Sequence, residues 1–394
     1  IKLKPNNASN YINLGDLYSQ DGRLEEARLA TIKAIELNPN LERLHYHLGN
    51  IYKDLGQLKE AEKSTRQAIK IKANFAEAYF NLGNILESLG NRKEAITEWT
   101  KAVNLKPKLV KAIETLGLHL YLDKNYELAL KYLSKSKSDL SLSLYLGCLL
   151  SLDRENEFKR KYQEVSERNI TNAAIGGVIE HANIIYNNKY NSPFCNKAIN
   201  YVMWDQINEE LFPNNHLNQL IDYLETSIKE PRAQGLLTNG KQTSGNLFLL
   251  NFPFIKSIKK ALELKIDNYK TKFRDSGQGF INKWPKYYEL RSWMIGMKSG
   301  GFLKPHNHEY GWITGSFYLK IPKIDQNDDD NAGSISFSYS GPQYPTKGKI
   351  FNSTIKKVKT RDICIFPSSV FHHTITFQSD EERICFVFDL VQKK

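Results

Sequence analysis

The sequence predicts an α+β protein of two domains: an N-terminal α-solenoid of short helical repeats, then a double-stranded β-helix (jelly-roll) with flanking helices. Two observations carry that expectation. A Leu-Gly pair recurs every 34 residues through the first third of the chain, and beyond residue 287 short apolar runs alternate with Gly, Pro and Asp turns. A third observation marks where chemistry is expected: two histidines stand one residue apart in "KPHNHEYGWITGSFYLKIP" (304–322).

The repeats come first. Pro5, Pro39 and Pro107 share the register, with Ala73 at the remaining station. Aligned copies span 10–39, 44–73, 78–107 and a weaker 112–136, each with its Leu-Gly: Leu14-Gly15, Leu48-Gly49, Leu82-Gly83 and Leu116-Gly117. A second glycine follows in the first three (Gly22, Gly56, Gly90), and Ala27, Ala61, Ala95 and Ala129 recur where two helices must approach closely. A fifth, eroded copy is read in 144–168. Such units cannot bury their apolar faces alone and stack into a superhelix with a concave groove.

These motifs resemble the tetratricopeptide repeat over residues 1–136, with the solenoid expected to run to 168. The resemblance implies a groove that takes a polypeptide, lined by Asp16, Arg43, Tyr46, Asn50, Lys53, Phe80, Asn84, Glu87 and Lys111. Asn50 and Asn84 fall where peptide-binding members place an asparagine that holds the ligand backbone. The full basic set that clamps a C-terminal carboxylate in some members is absent.

Residues 169–210 lose the repeat signal and are read as a helical linker, with the second domain over 211–394. Within it, 215–230 has the apolar spacing of a helix, and the Gly/Asn/Thr-rich 237–248 reads as a loop and candidate lid. Strands are expected at 287–297, 312–322, 333–340, 362–369, 373–377 and 383–390. The Asp328-Asp329-Asp330 run lacks the spacing of a calcium loop and reads as solvated.

Composition excludes several classes. With 394 residues, 41% of them hydrophobic and 11% aromatic, the chain is globular rather than disordered. No apolar run nears the ~20 residues that span a bilayer, and the first ten residues lack the apolar stretch of a secretory leader. Four cysteines without CxxC spacing suggest a reducing cytoplasm and neither a disulfide framework nor a zinc knuckle. The net charge of +12 is dispersed, often beside Glu on helix faces, so nucleic acid is not the expected partner.

In an extended segment residues two apart point the same way, so His306 and His308 can aim at one place. His372, at the start of a late strand, can meet them if early and late strands converge. At this point 287–390 resembles the non-haem iron, 2-oxoglutarate-dependent oxygenases, especially those that follow tetratricopeptide repeats in bacteria and their phages. The stretches concerned are "TNGKQTSGNLF", "GGFLKPHNHEYGWITGSFYLKIP" and "DICIFPSSVFHHTITFQSDEERICFVFDL".

The resemblance implies Fe(II), 2-oxoglutarate and O2, with ascorbate as a candidate reductant, and a hydroxylase activity, prolyl or otherwise, on a polypeptide recruited by the repeats. His306 would be the first iron ligand and His372 the distal one, with His373 as the alternative. Arg383 would fork onto the co-substrate's distal carboxylate, helped by Tyr318, while Cys385 stands where a hydroxyl usually assists. The second ligand departs from the pattern: His308 occupies the place of an Asp or Glu. Three outcomes stay open at this point: a three-histidine site, a site completed by Glu309, or a site that has lost its metal. The competing functions are a repeat scaffold with a degenerate barrel, and a three-histidine oxygenase that does not use 2-oxoglutarate.

Overall fold

The computed structural model describes residues 8–227, 236–325 and 328–393; Pro5 and residues 228–230 of the expected helix lie outside them. The chain divides into two compact units, 1–148 and 149–394.

The first unit is a helical solenoid. Its helices come in pairs: α1 (Ala8–Gln20) with α2 (Leu24–Leu37), α3 (Glu42–Asp54) with α4 (Leu58–Ile71), α5 (Ala76–Ser88) with α6 (Arg92–Leu105), and α7 (Val110–Leu122) with α8 (Tyr126–Leu133). Sequence explains the pairing. A β-carbon on Gly15, Gly49, Gly83 or Gly117 would collide with Thr31, Thr65, Trp99 or Leu133, sixteen positions on in the partner helix. Ala27, Ala61, Ala95 and Ala129 are fully buried at the same contacts. The turn between paired helices needs positive φ, supplied by Gly22, Gly56 and Gly90 and, in the fourth copy, by Lys124 at 58°. The division between units falls within α9 (Asp139–Ser151); α10 (Glu155–Glu167) follows.

The second unit is a curled antiparallel sheet with flanking helices. Its strands are β1 (Met203–Gln206), β2 (Leu237–Gln242), β3 (Tyr288–His306), β4 (Ile313–Lys320), β5 (Ile335–Ser338), β6 (Ser353–Lys356), β7 (Asp362–Pro367), β8 (Phe371–Thr374) and β9 (Arg383–Gln392). They run in the order β1-β7-β4-β9-β3-β8-β5-β6, with β2 also on β3. The 19-residue β3 pairs with β9 along Tyr288–Met297, then with β8 at Leu303 and His306, with a register shift between those two. An irregularity of this kind bends a strand locally.

One expectation is corrected here. The stretch 237–248 is not a free loop, because Leu237–Gln242 pairs as β2 against β3. A bulge at Asn239, with φ of 45°, lets this polar "NG" segment follow the bend. Residues 247–249 form a single helical turn held by Asn246, whose Oδ1 accepts from the Phe248 N–H at 3.1 Å.

Segment 169–210 carries α11 (Ala173–Ile185), buried on nearly all sides. Gly176 and Gly177 let it press against Ser369, Phe371 and Asn307, the residue between the two histidines. Two further helices, α12 (Asn214–Ser227) and α13 (Pro253–Lys272), cover the sheet, sending Leu220, Leu224, Ile258 and Leu262 into the core with Phe317, Phe386 and Phe388.

Glu180 of α11 offers a stability prediction. The residue is 8% exposed, and burial pushes its carboxyl up to about 7, although its Oε1 accepts the Lys197 N–H at 3.1 Å. The unfolded chain releases this proton near pH 4.5 and the folded one near 7, so the folded state holds more protons in between. Stability is therefore lost as pH rises through that window. Glu180→Gln keeps the acceptor without the charge, and should stabilise the protein at pH 8 by at most about 3 kcal/mol, with no gain at pH 4.5. Denaturant unfolding at both pH values measures the difference.

Candidate metal centre

The site is built where β3, β8 and the turn after β3 meet. His306 and His372 stand opposite each other across the β3–β8 ladder, with ring centroids 4.4 Å apart. His308 joins them from the following turn, 5.2 Å from each ring. The turn is tied down at both ends: the His308 N–H donates to the Ser368 carbonyl at 3.0 Å, and the Gly311 N–H donates to the His308 carbonyl at 2.9 Å.

One nitrogen of each ring lies within 4.8 Å of the other two. The opposite nitrogens explain which ones converge. His306 Nδ1 lies 2.8 Å from the Lys304 carbonyl, His372 Nδ1 lies 3.3 Å from the Val370 carbonyl, and His308 Nδ1 lies 2.7 Å from Asp389 Oδ1. A neutral imidazole that donates through Nδ1 keeps its Nε2 lone pair free, which is the form that ligates metals. His306 Nε2 and His308 Nε2 are already 3.3 Å apart. A metal at ordinary bond lengths with ligands at right angles would hold them about 3 Å apart.

Electrostatics favours the neutral form of His306 and His372. Burial, with the neighbouring His308, pushes the His306 imidazole down to about 3. Burial and the other two histidines hold His372 well below the usual range. Aromatic groups wall the cluster: Trp293 stacks on His308 with centroids 5.6 Å apart, and Phe366 meets His372 edge-on at 4.8 Å. Trp312 is structural, buried with its indole N–H donated to the Phe280 carbonyl at 2.6 Å.

Glu309 is not among the residues whose ligand atoms cluster, and burial alone raises its carboxyl pKa. His373 follows His372 on a strand and faces away, pairing in register with Ser336; its Nδ1 is buried without a hydrogen-bond partner.

Arg383, Tyr318 and Cys385 come together on the inward face of β9 and β4. Tyr318 pairs with Cys385 in register, and the Arg383 guanidinium lies over the Tyr318 ring, 5.1 Å from its centroid. Arg383 is 2% exposed; its Nε donates to the Gly333 carbonyl at 3.1 Å, and Nη1 lies 4.0 Å from Cys385 Sγ. Among the described residues no carboxylate pairs with it. The Tyr318 hydroxyl faces Cys364 Sγ at 3.7 Å. A cavity of about 320 Å3 borders Arg383, between Ser334, Lys357, Asp325, Asp328, Asp329 and Asp330. Asp328 and Asp329 there accept backbone N–H groups of Gln378 and Asn331, which makes them turn-formers.

Sequence reasoning missed Asp389, Thr314 and Ser368. Asp389 Oδ1 accepts from Thr314 Oγ1 at 2.7 Å as well as from His308, and Thr314 Oγ1 lies 2.7 Å from Ser368 Oγ. A signal was available: Arg383, Cys385, Val387 and Asp389 are spaced by two, so an inward Arg383 implies an inward Asp389.

In the helical unit the expected groove residues are engaged locally. Asn84 Oδ1 accepts the Trp99 indole N–H at 3.0 Å, and Lys53 Nζ donates to Asn81 Oδ1 at 3.4 Å. Glu87 faces His119 at 3.7 Å, and Tyr46 packs on Phe75 at 5.1 Å. Arg43, Asp16 and Lys111 are exposed, while Asn50 and Phe80 are partly so.

The chain carries a solenoid of paired helices and a curled β domain with a histidine cluster, and each part matches a known family. Residues 291–389 match the family described as "Putative 2OG-Fe(II) oxygenase". Residues 15–56 and 49–90 match the TPR repeat, and 76–109 the tetratricopeptide repeat. Among solved structures, the "Crystal structure of MamA" is 26% identical, covering 34% of this chain and 77% of that one with a TM-score of 0.32. YrrB, described as "a TPR protein with an unusual peptide-binding site", is 24% identical over 40% of this chain and 82% of its own, with a TM-score of 0.34. PilF of Pseudomonas aeruginosa is 22% identical over 46% and 85%, with a TM-score of 0.39. No curated protein matches. Among the described residues no helix is long and apolar enough to cross a membrane.

Proposed function

We propose that the chain is an Fe(II)- and 2-oxoglutarate-dependent dioxygenase, a hydroxylase acting on a polypeptide that the repeats recruit. The observation that carries this reading is the convergence of three imidazole nitrogens within 4.8 Å, in a segment matching an oxygenase family. His306, His308 and His372 would hold the iron as three neutral nitrogen ligands, leaving positions for a chelating 2-oxo acid and O2. Iron held there supplies the activation of O2, with the two further electrons drawn from oxidative decarboxylation of 2-oxoglutarate to succinate and CO2.

The chain's own residues would do the rest. Arg383 binds the distal carboxylate: it is a buried cation without an acidic partner among the described residues, a state that costs free energy unless an anionic ligand completes it. It reaches to the level of Cys385, four residues or about 13 Å of strand from Asp389 beside His308. Trp293 and Phe366 shield the histidines from bulk water. Prolyl side chains of a captured polypeptide are the first substrates to test.

A second reading has its own observation. Arg383 Nε is already spent on Gly333, and the Tyr318 hydroxyl turns to Cys364, which suits a three-histidine oxygenase without 2-oxoglutarate. Anaerobic titration with Fe(II) and then 2-oxoglutarate separates the two. Metal binding followed by a visible metal-to-ligand charge-transfer band is the expected result. Metal binding without the band favours the second reading, and no metal binding leaves a scaffold. Mass spectrometry of proteins captured on the repeats, searched for one added oxygen, would then identify the substrate.

A further inference from the structure

The His-x-His pair places an imidazole where a carboxylate would otherwise bring negative charge to the metal. We propose that Asp389 is that carboxylate moved one hydrogen bond outward: it holds His308 with the proton on Nδ1, and gives the three-histidine set its single negative charge. The inference rests on the three-histidine reading above and adds a positioning residue to it.

Four observations support the assignment. First, Asp389 Oδ1 lies 2.7 Å from His308 Nδ1, the short distance of a charge-assisted bond. Second, the carboxylate is itself oriented, because Thr314 Oγ1 reaches the same oxygen at 2.7 Å and Ser368 Oγ stands 2.7 Å behind Thr314. Ser368 also accepts the His308 N–H through its carbonyl, so one strand end holds both the backbone and the side-chain partner of this ligand. Third, nothing else claims the charge. Among the described residues His308 is the one ion-pair partner of Asp389. Arg291, opposite in the β3–β9 register, pairs with Glu289 at 3.2 Å and is largely exposed. Fourth, His306 and His372 face neutral carbonyls at the corresponding nitrogen, so among the described residues His308 is the member of the cluster hydrogen-bonded to a carboxylate.

A carboxylate behind a ligating imidazole fixes its tautomer and raises its basicity, and losing such a partner costs about 10- to 100-fold in metal affinity. Asp389→Asn keeps an acceptor of the same shape and removes the charge. Fe(II) or Co(II) titration of this variant should show weakening of that size, while the melting temperature of the metal-free protein changes little. A second comparison tests relocation rather than mere support. His308→Asp alone sets two carboxylates against each other, whereas His308→Asp with Asp389→Asn restores one acid to the site. The double variant should therefore bind metal more tightly than His308→Asp alone.

Wild-type affinity in Asp389→Asn, or losses that simply add in the double variant, would overturn the proposal. Should the variants fail to fold, 15N NMR of the metal-free wild type decides: the His308 proton must reside on Nδ1, and an Nε2–H tautomer sinks the idea. Iron binding without 2-oxoglutarate binding would defeat the proposed activity and leave this inference standing. Absence of any divalent-metal binding by the wild type would defeat both.

Discussion

His372→Ala is expected to lower Fe(II) affinity by more than about 100-fold, beyond what loss of a supporting group costs. His372 stands directly across from His306, 5% exposed, with its Nδ1 committed to a carbonyl. Removing it leaves two imidazoles from the β3 side and a hole between Phe337 and Phe366. The neighbouring His373→Ala is the control, because that ring faces the other side of the strand and should leave metal binding unchanged. Anaerobic equilibrium dialysis of both variants measures the contrast; equal losses would show that the cluster is misassigned.

The same burial makes the metal-free site acid-sensitive. The unfolded chain protonates His306 near pH 6.5, whereas the folded His306 resists until about pH 3. Its contribution to stability is therefore complete above 6.5 and declines as pH falls towards 3. Bound metal competes with the same protons, so metal affinity falls in that direction too.

Arg383 carries the second large effect. Arg383→Met should weaken 2-oxoglutarate binding by about 2–5 kcal/mol, the usual cost of removing one partner of a buried charged pair, while Fe(II) affinity stays within a few-fold. Its effect on the metal-free protein is the more discriminating measurement. With no carboxylate partner among the described residues, the buried guanidinium costs desolvation energy, so an apolar side chain of similar length should be neutral or stabilising before co-substrate is added. Strong destabilisation together with unchanged 2-oxoglutarate binding would make Arg383 a structural residue and remove the main support for the co-substrate.

Most of the fold was legible because it is periodic. The 34-residue register announces helix pairs, and the glycine and alanine at fixed stations are where one helix must touch the next. The principal strands were legible from short apolar runs between turns. Less so were β1, β2 and β6, which are short, polar or exposed and are strands only because a neighbouring strand offers unpaired backbone groups. For β2 the Gly/Asn-rich composition pointed to a loop, yet those residues are what a strand needs to follow a bulge in β3.

At the site, sequence parity aligned His306 with His308, since a strand repeats its facing every two residues. The roles expected of Arg383, Cys385 and the distal histidine pair came from the family resemblance. Parity within a strand says nothing about which strands lie side by side, so the acid nearest the histidines could not be read from its position in the chain. Glu309 is adjacent in sequence and stands outside the cluster, whereas Asp389, 81 residues beyond His308, is in contact with it. The sequence by itself determined the repeat architecture and the β character of the second half, because each is written in local periodicity. The tertiary structure decided which acid stands behind His308 and left Arg383 buried without an acidic partner among the described residues. Both depend on non-local strand pairing, which brings β9 against β3 and β4 through a curl in the sheet.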